Sequence, residues 1–118
     1  MISSPTGFIS VGQRKAVSIM SIRISRNNSQ ITIHIKGRLD RERLPEFREL
    51  YQSIESETGP LVIDLKEATF IDSMGLHELE GMKTFLGRED GEIVFKHTPS
   101  TIKTLLANIR FDRHFQIA

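Results

Sequence analysis

The sequence predicts an α/β fold, with one mixed sheet and helices packed against it in the order β-β-α-β-α-β-α. Three observations carry this. Two short segments near residues 21–36 alternate apolar and polar residues. A nearly continuous apolar run, "LVIDL" (61–65), follows a helical pattern. Helix-like and strand-like segments then alternate to the end of the chain, the pattern of helices laid on a sheet with parallel neighbours.

"SIRIS" (21–25) places Ile22 and Ile24 on one face, and "QITIHIK" (30–36) does the same for Ile31, Ile33 and Ile35. Period two with β-branched residues predicts half-buried strands. Asn27, Asn28 and Ser29 between them are turn formers, so a hairpin is expected. Gly37-Arg38-Leu39-Asp40 is expected to end the second strand, with Asp40 capping the next helix. Leu44, Phe47, Leu50, Tyr51 and Ile54 recur at three- and four-residue steps, which predicts a helix over 43–56 with Pro45 in its first turn. Thr58-Gly59-Pro60 breaks it. The run at 61–65 reads as a strand covered on both faces. Leu76, Leu79, Met82 and Leu86 predict a helix over 73–86. Residues 92–96 form the next strand. A helix over 98–109 follows, with Thr98 or Ser100 as its cap and Ile102, Leu105, Leu106 and Ile109 inside.

A chain of 118 residues suits one domain and can bury a core without covalent staples. It has no cysteine, which removes disulfides, thiol chemistry and thiolate zinc sites. Net charge is +1, so no global pull toward nucleic acid is expected. The charge is uneven: residues 1–48 are net +6 and residues 49–118 net −5. No apolar run approaches the ~20 residues that span a membrane. The first twenty residues have neither the basic start nor the apolar stretch of a signal peptide. Residues 1–19 therefore read as a flexible leader and 20–118 as the domain, with Met20 an alternative start. A cytoplasmic protein without membrane insertion is expected.

The stretch "TFIDSMGLHELEGM" (69–82) joins the apolar strand to a helix through Asp72-Ser73-Met74-Gly75. A nucleophilic Ser73 would need a base in reach, and no G-x-S-x-G elbow surrounds it. His77 stands one helical turn away, along the helix rather than over the hydroxyl. His34, His77, His97 and His114 fall at no metal-ligand spacing. His77, Glu78 and Glu80 read as a solvated helix face, and His34 as a satisfied or exposed histidine. No phosphate-binding glycine motif occurs. Arg38, Arg41, Arg43 and Arg48 lack the aromatic platform of a nucleic-acid site, since Phe47 is needed in the core. What remains is a helix N-terminus, with orphan N–H groups and a positive dipole end. Asp72 or Ser73 can cap it, and a phosphate on Ser73 would be tolerated there.

"GRLD", "LVIDLKEATFIDSMGLHEL" and "GEIVFKHTPSTIKTLLANIRFDRHFQI" resemble the STAS domain, specifically the bacterial anti-sigma-factor antagonists, over residues 21–118. The resemblance implies a mixed sheet of four to five strands with helices on one side. It implies a protein that is no enzyme, needs no cofactor and works by partner switching. The unmodified form would bind an anti-sigma factor that is also a serine kinase, releasing the sigma factor. Phosphorylation of Ser73 would block binding, and a PP2C-type phosphatase would restore it. The partner surface implied comprises Asp40, Asp72, Ser73, Met74, Gly75 and Leu76. Met74 stands where the family often has a second serine or threonine, and Arg38 where an acid is common. Partner preference is expected to differ there. Other roles open to such a module are regulation of a non-sigma pathway, a stressosome-like scaffold or a transport-complex subunit.

Overall fold

The computed structural model describes residues 22–118. The expected leader over 1–19 and the alternative start at Met20 lie outside the described residues. Strands β1 (Ile22–Asn27), β2 (Gln30–Leu39), β3 (Leu61–Ile71), β4 (Ile93–Lys96) and β5 (Gln116–Ile117) form one sheet in sequence order. β1 pairs antiparallel with β2, and every later pairing is parallel. Helices α1 (Leu44–Gln52), α2 (Ser73–Phe85) and α3 (Ser100–Asn108) make the connections. The mixed sheet and the element order match the expectation, with β5 added as a two-residue edge strand.

The hairpin between β1 and β2 turns on Asn28 and Ser29, both with positive φ (52° and 66°). Two consecutive left-handed residues make a type I′ turn, whose twist suits paired strands. Serine is strained there, whereas glycine is not. Ser29→Gly is therefore expected to raise stability by about 0.5–1 kcal/mol, read from the denaturant midpoint at unchanged slope.

β2 passes through Gly37 and ends at Leu39, within the stretch expected to end it. Gly37 takes φ 78°, and the β2–β3 register shifts on either side of it, between His34 and Lys36 and between Gly37 and Arg38. The glycine supports an irregularity, and the strand resumes with Arg38 opposite Phe70 and Leu39 opposite Ile71. β3 runs six residues past the expected 61–65 to reach Ile71. This extension brings the ends of two parallel strands side by side.

The core lies on one face of the sheet. Ile31, Ile33 and Ile35 of β2, Leu61, Ile63 and Leu65 of β3, and Ile93 and Phe95 of β4 join Phe47, Tyr51, Leu79, Met82, Ile102 and Leu106 from the helices. Phe95, Phe111 and Phe115 stack with centroids 4.8 and 4.9 Å apart along the chain's last turn. The run at 61–65 is buried on both faces, as expected, with Leu61, Ile63 and Leu65 in the core and Val62 on the other face. Val62, though only 5% exposed, lies outside that core, flanked in its row by Thr32 and Val94. Asp64 interrupts the apolar run on the face that Val62 shares, where it lies beside His34.

Helix α1 is shorter than expected, ending at Gln52, though Ile54 still reaches the core at 1% exposure. Asp40 does not cap it. The Asp40 carboxylate accepts the Glu42 N–H at 3.2 Å, and its carbonyl accepts the Arg43 N–H at 2.9 Å. A tight turn thus separates Asp40 from a helix whose N-cap, Arg43, makes no side-chain cap bond. Neither Thr98 nor Ser100 caps α3. The helix starts after Pro99, and the Thr98 N–H instead donates to the Ala118 carbonyl.

Candidate functional site

The paired strand ends place two aspartates together. Leu39 faces Ile71 in the ladder, so Asp40 and Asp72 are the next residue on each strand. The Asp72 N–H donates to the Leu39 carbonyl at 3.3 Å. Asp72 is extended, with φ −91° and ψ −179°, and its Oδ1 accepts the Gly75 N–H at 2.8 Å. Asp72 is therefore the N-cap of α2 and satisfies one of its orphan donors. That leaves Ser73 as the first helical residue, exposed and relieved of capping duty.

Gly75 explains how the helix sits so close to the strand. A Cβ built on it would lie 2.4 Å from the Leu39 carbonyl oxygen and 3.1 Å from Ile71 Cγ2. Gly75 is buried, so it sets the position of Ser73 rather than presenting a side chain. Gly75→Ala must push α2 off the end of β2. Overpacking of this kind costs about 1–3 kcal/mol, which a chemical melt would register as a lowered midpoint.

Around Ser73 the surface is shaped by both loops. Arg38, Asp40, Arg41, Glu42, Asp72 and Met74 line an open groove between the β2–α1 turn and the start of α2. Arg38 Nε donates to Asp40 Oδ2 at 3.1 Å. That bond, with the Glu42 and Arg43 N–H groups, holds the Asp40 carboxyl below the usual carboxylate range. The Arg38 guanidinium also lies over the Phe70 ring, 4.8 Å from its centre. Phe70 is 43% exposed and Met74 47%, two large apolar side chains left open to solvent on either side of Ser73 in sequence. Leu76 is half-buried against the core.

The residues expected at the site are thus brought together, and Phe70 with Arg38 is added to them. Strand alternation could have found Phe70: Ile71 points inward, so its neighbour at a strand end must point out. His77 lies one turn along α2 from Ser73 and is exposed.

Glu78 is a correction. It was expected on a solvated face beside His77 and Glu80, yet it is buried, 7% exposed. Its carboxylate accepts Arg48 Nε at 2.9 Å, Arg48 Nη2 at 2.8 Å and the Tyr51 hydroxyl at 2.5 Å. The helical pattern alone did not reveal this, because both partners lie on α1. The fork of two Arg48 bonds holds the Glu78 carboxyl below its ordinary range, against the opposing effect of burial. Burial, then the neighbouring carboxylate, pushes the Tyr51 hydroxyl up to about 12. The cluster ties α2 to α1 a turn beyond Ser73. Of the four arginines weighed as a nucleic-acid surface, Arg38 and Arg48 are engaged by acids of this chain.

Among the described residues there is no group of three or more side chains suited to hold a metal ion. Among them, too, no helix is long and apolar enough to cross a membrane.

Comparison with known proteins agrees with this geometry. The chain is 29% identical over 94 residues to a STAS-domain containing protein of Pseudomonas aeruginosa (strain UCBPP-PA14), covering 80% of this chain and 93% of that one. Among solved structures, an anti-sigma factor antagonist from Mycobacterium paratuberculosis superposes with a TM-score of 0.67 at 20% identity, over 81% of this chain and 82% of that one. The antagonist SpoIIAA superposes in its unphosphorylated form at 0.57, with 14% identity over 82% and 88% of the two chains. The phosphorylated Bacillus form gives 0.61, with 13% identity over 82% and 90%. The fold is that of these antagonists, and residues 21–118 match the STAS domain, so the chain belongs to the STAS domain family.

Proposed function

We propose that this protein is an anti-sigma-factor antagonist controlled by phosphorylation of Ser73. The observation that carries the reading is an exposed serine at the first position of α2, free of capping because Asp72 does that work. A modifying enzyme can reach it without melting the helix. The unmodified surface of Asp40, Asp72, Ser73 and Met74, backed by Gly75 and Leu76, docks on a cytoplasmic anti-sigma factor that is also a serine kinase. Docking releases the sigma factor. Phosphate on Ser73 ends the docking, and a PP2C-type phosphatase restores it. The protein acts by binding, without turnover. Structural likeness to an antagonist solved both with and without phosphate supports the reading.

The test is a titration of wild type, Ser73→Ala and Ser73→Asp against the anti-sigma partner. Ser73→Ala binds and Ser73→Asp does not; equal binding by both overturns the switch. Phe70 extends the proposed interface as its aromatic anchor. Phe70→Ala is expected to weaken partner binding about tenfold to a hundredfold by calorimetry, while leaving the melting temperature nearly unchanged because the ring is half exposed.

A further inference from the structure

The outer face of the sheet holds a second cluster of reactive side chains. Ser25 Oγ lies 2.8 Å from His34 Nε2, and His34 Nδ1 lies 3.1 Å from Asp64 Oδ2. Asp64 Oδ1 accepts the Lys66 N–H at 2.9 Å, which holds the carboxylate in place. An ionised carboxylate only accepts, so Nδ1 carries the ring proton and Nε2 is left to accept from the serine hydroxyl. This is the order of a nucleophile, its base and the acid that orients the base. Ser25 is exposed, and His34 and Asp64 are half-buried, so a small reagent can reach the hydroxyl.

The strand register shows what surrounds it. Arg23, His34, Asp64 and Lys96 form one row across four strands, with an exposed cation at each end. Ser25 opens the next row, followed by Thr32, Val62 and Val94. The face therefore offers positive charge beside a short apolar strip. Backbone N–H groups in a sheet lie in its plane and bond to neighbouring strands, so none points up to stabilise an oxyanion over this face. A reagent must bring its own good leaving group.

We infer that Ser25 is an acyl-accepting nucleophile, activated by His34 and Asp64, that takes its acyl group from a small anionic acyl phosphate. Ser25 Oγ attacks the carbonyl carbon while its proton passes to His34 Nε2. The bond from that carbon to the bridging oxygen breaks, and phosphate leaves with the electron pair and takes up the proton held by His34. The products are one acyl ester on Ser25 and one inorganic phosphate, and the imidazole is neutral again. This is a single modification without turnover. It uses no residue of the Ser73 surface and goes beyond the switch proposed there.

The experiment incubates the full chain with acetyl phosphate and follows acetylation by intact mass and peptide mapping. Wild type gains an acetyl group on Ser25. Ser25→Ala gains none at that position. His34→Asn and His34→Gln acetylate residue 25 about a hundredfold or more slowly, the lower bound for loss of a general base. Asp64→Asn is slowed as well. Lysine acetylation serves as the common background. A wild type acetylated on lysines alone overturns the inference. So does a folded His34 variant, checked by its melting curve, that acetylates Ser25 as fast as wild type.

Discussion

Ser73→Asp is expected to bind the anti-sigma partner roughly thirtyfold to several thousandfold more weakly than wild type, while Ser73→Ala stays within a few-fold of it. The magnitude follows from where the charge would sit. Ser73 is exposed in the free protein, and the dipole of α2 favours an anion at its first residue. The new carboxylate therefore costs the free fold little. Against a docked partner it is removed from water next to Asp72, whose carboxylate is already committed to the Gly75 N–H. Asp40 stands nearby, engaged by Arg38. A charge stranded at an interface costs about 2–5 kcal/mol, and each 1.4 kcal/mol is tenfold in affinity. Phosphate carries more charge than aspartate and should exceed it. Calorimetry on the three proteins, with melting curves as the control for folding, checks both the direction and the size.

Glu78→Ala is expected to lower stability by about 2–3 kcal/mol. Two costs combine: the Tyr51 hydroxyl loses its acceptor in a buried position, and a cavity opens between α1 and α2. The Arg48 guanidinium is half exposed and returns to water, which keeps the loss below that of a fully buried ion pair. For a domain of this size the change corresponds to a fall of roughly 10–20 °C in melting temperature. Glu78→Met combined with Tyr51→Phe removes donors and acceptor together. It should lie within about 1 kcal/mol of wild type, because no buried polar group is then left alone. The same carboxylate sets a pH dependence. Its folded pKa lies below the unfolded value, so its contribution is complete above the ordinary glutamate range and is lost as pH falls through that range and below. The wild type should lose stability on acidification more steeply than the double variant.

Periodicity and turn chemistry determined the succession of elements. Alternating isoleucines made β1 and β2, Asn28-Ser29 made their turn, and three- and four-residue spacing made the helices, because each depends on residues a few positions apart. The corner at Asp72-Ser73 was legible for the same reason: a cap, its helix and its strand are contiguous. What the tertiary structure decided involves residues distant in sequence. The positive φ of Gly37 and the shifted register carry β2 and β3 on to Leu39 and Ile71 and set Asp40 beside Asp72. Gly75 is required by the Leu39 carbonyl, thirty-six positions earlier. Glu78 looked like one more solvated helix charge until Arg48 and Tyr51 of another helix closed on it. His34 finds Ser25 and Asp64 only through the pairing of three strands. A local pattern states which face of an element is apolar. It does not state what the polar face meets, because that depends on strand register and helix docking, which are set by the packing of the whole core.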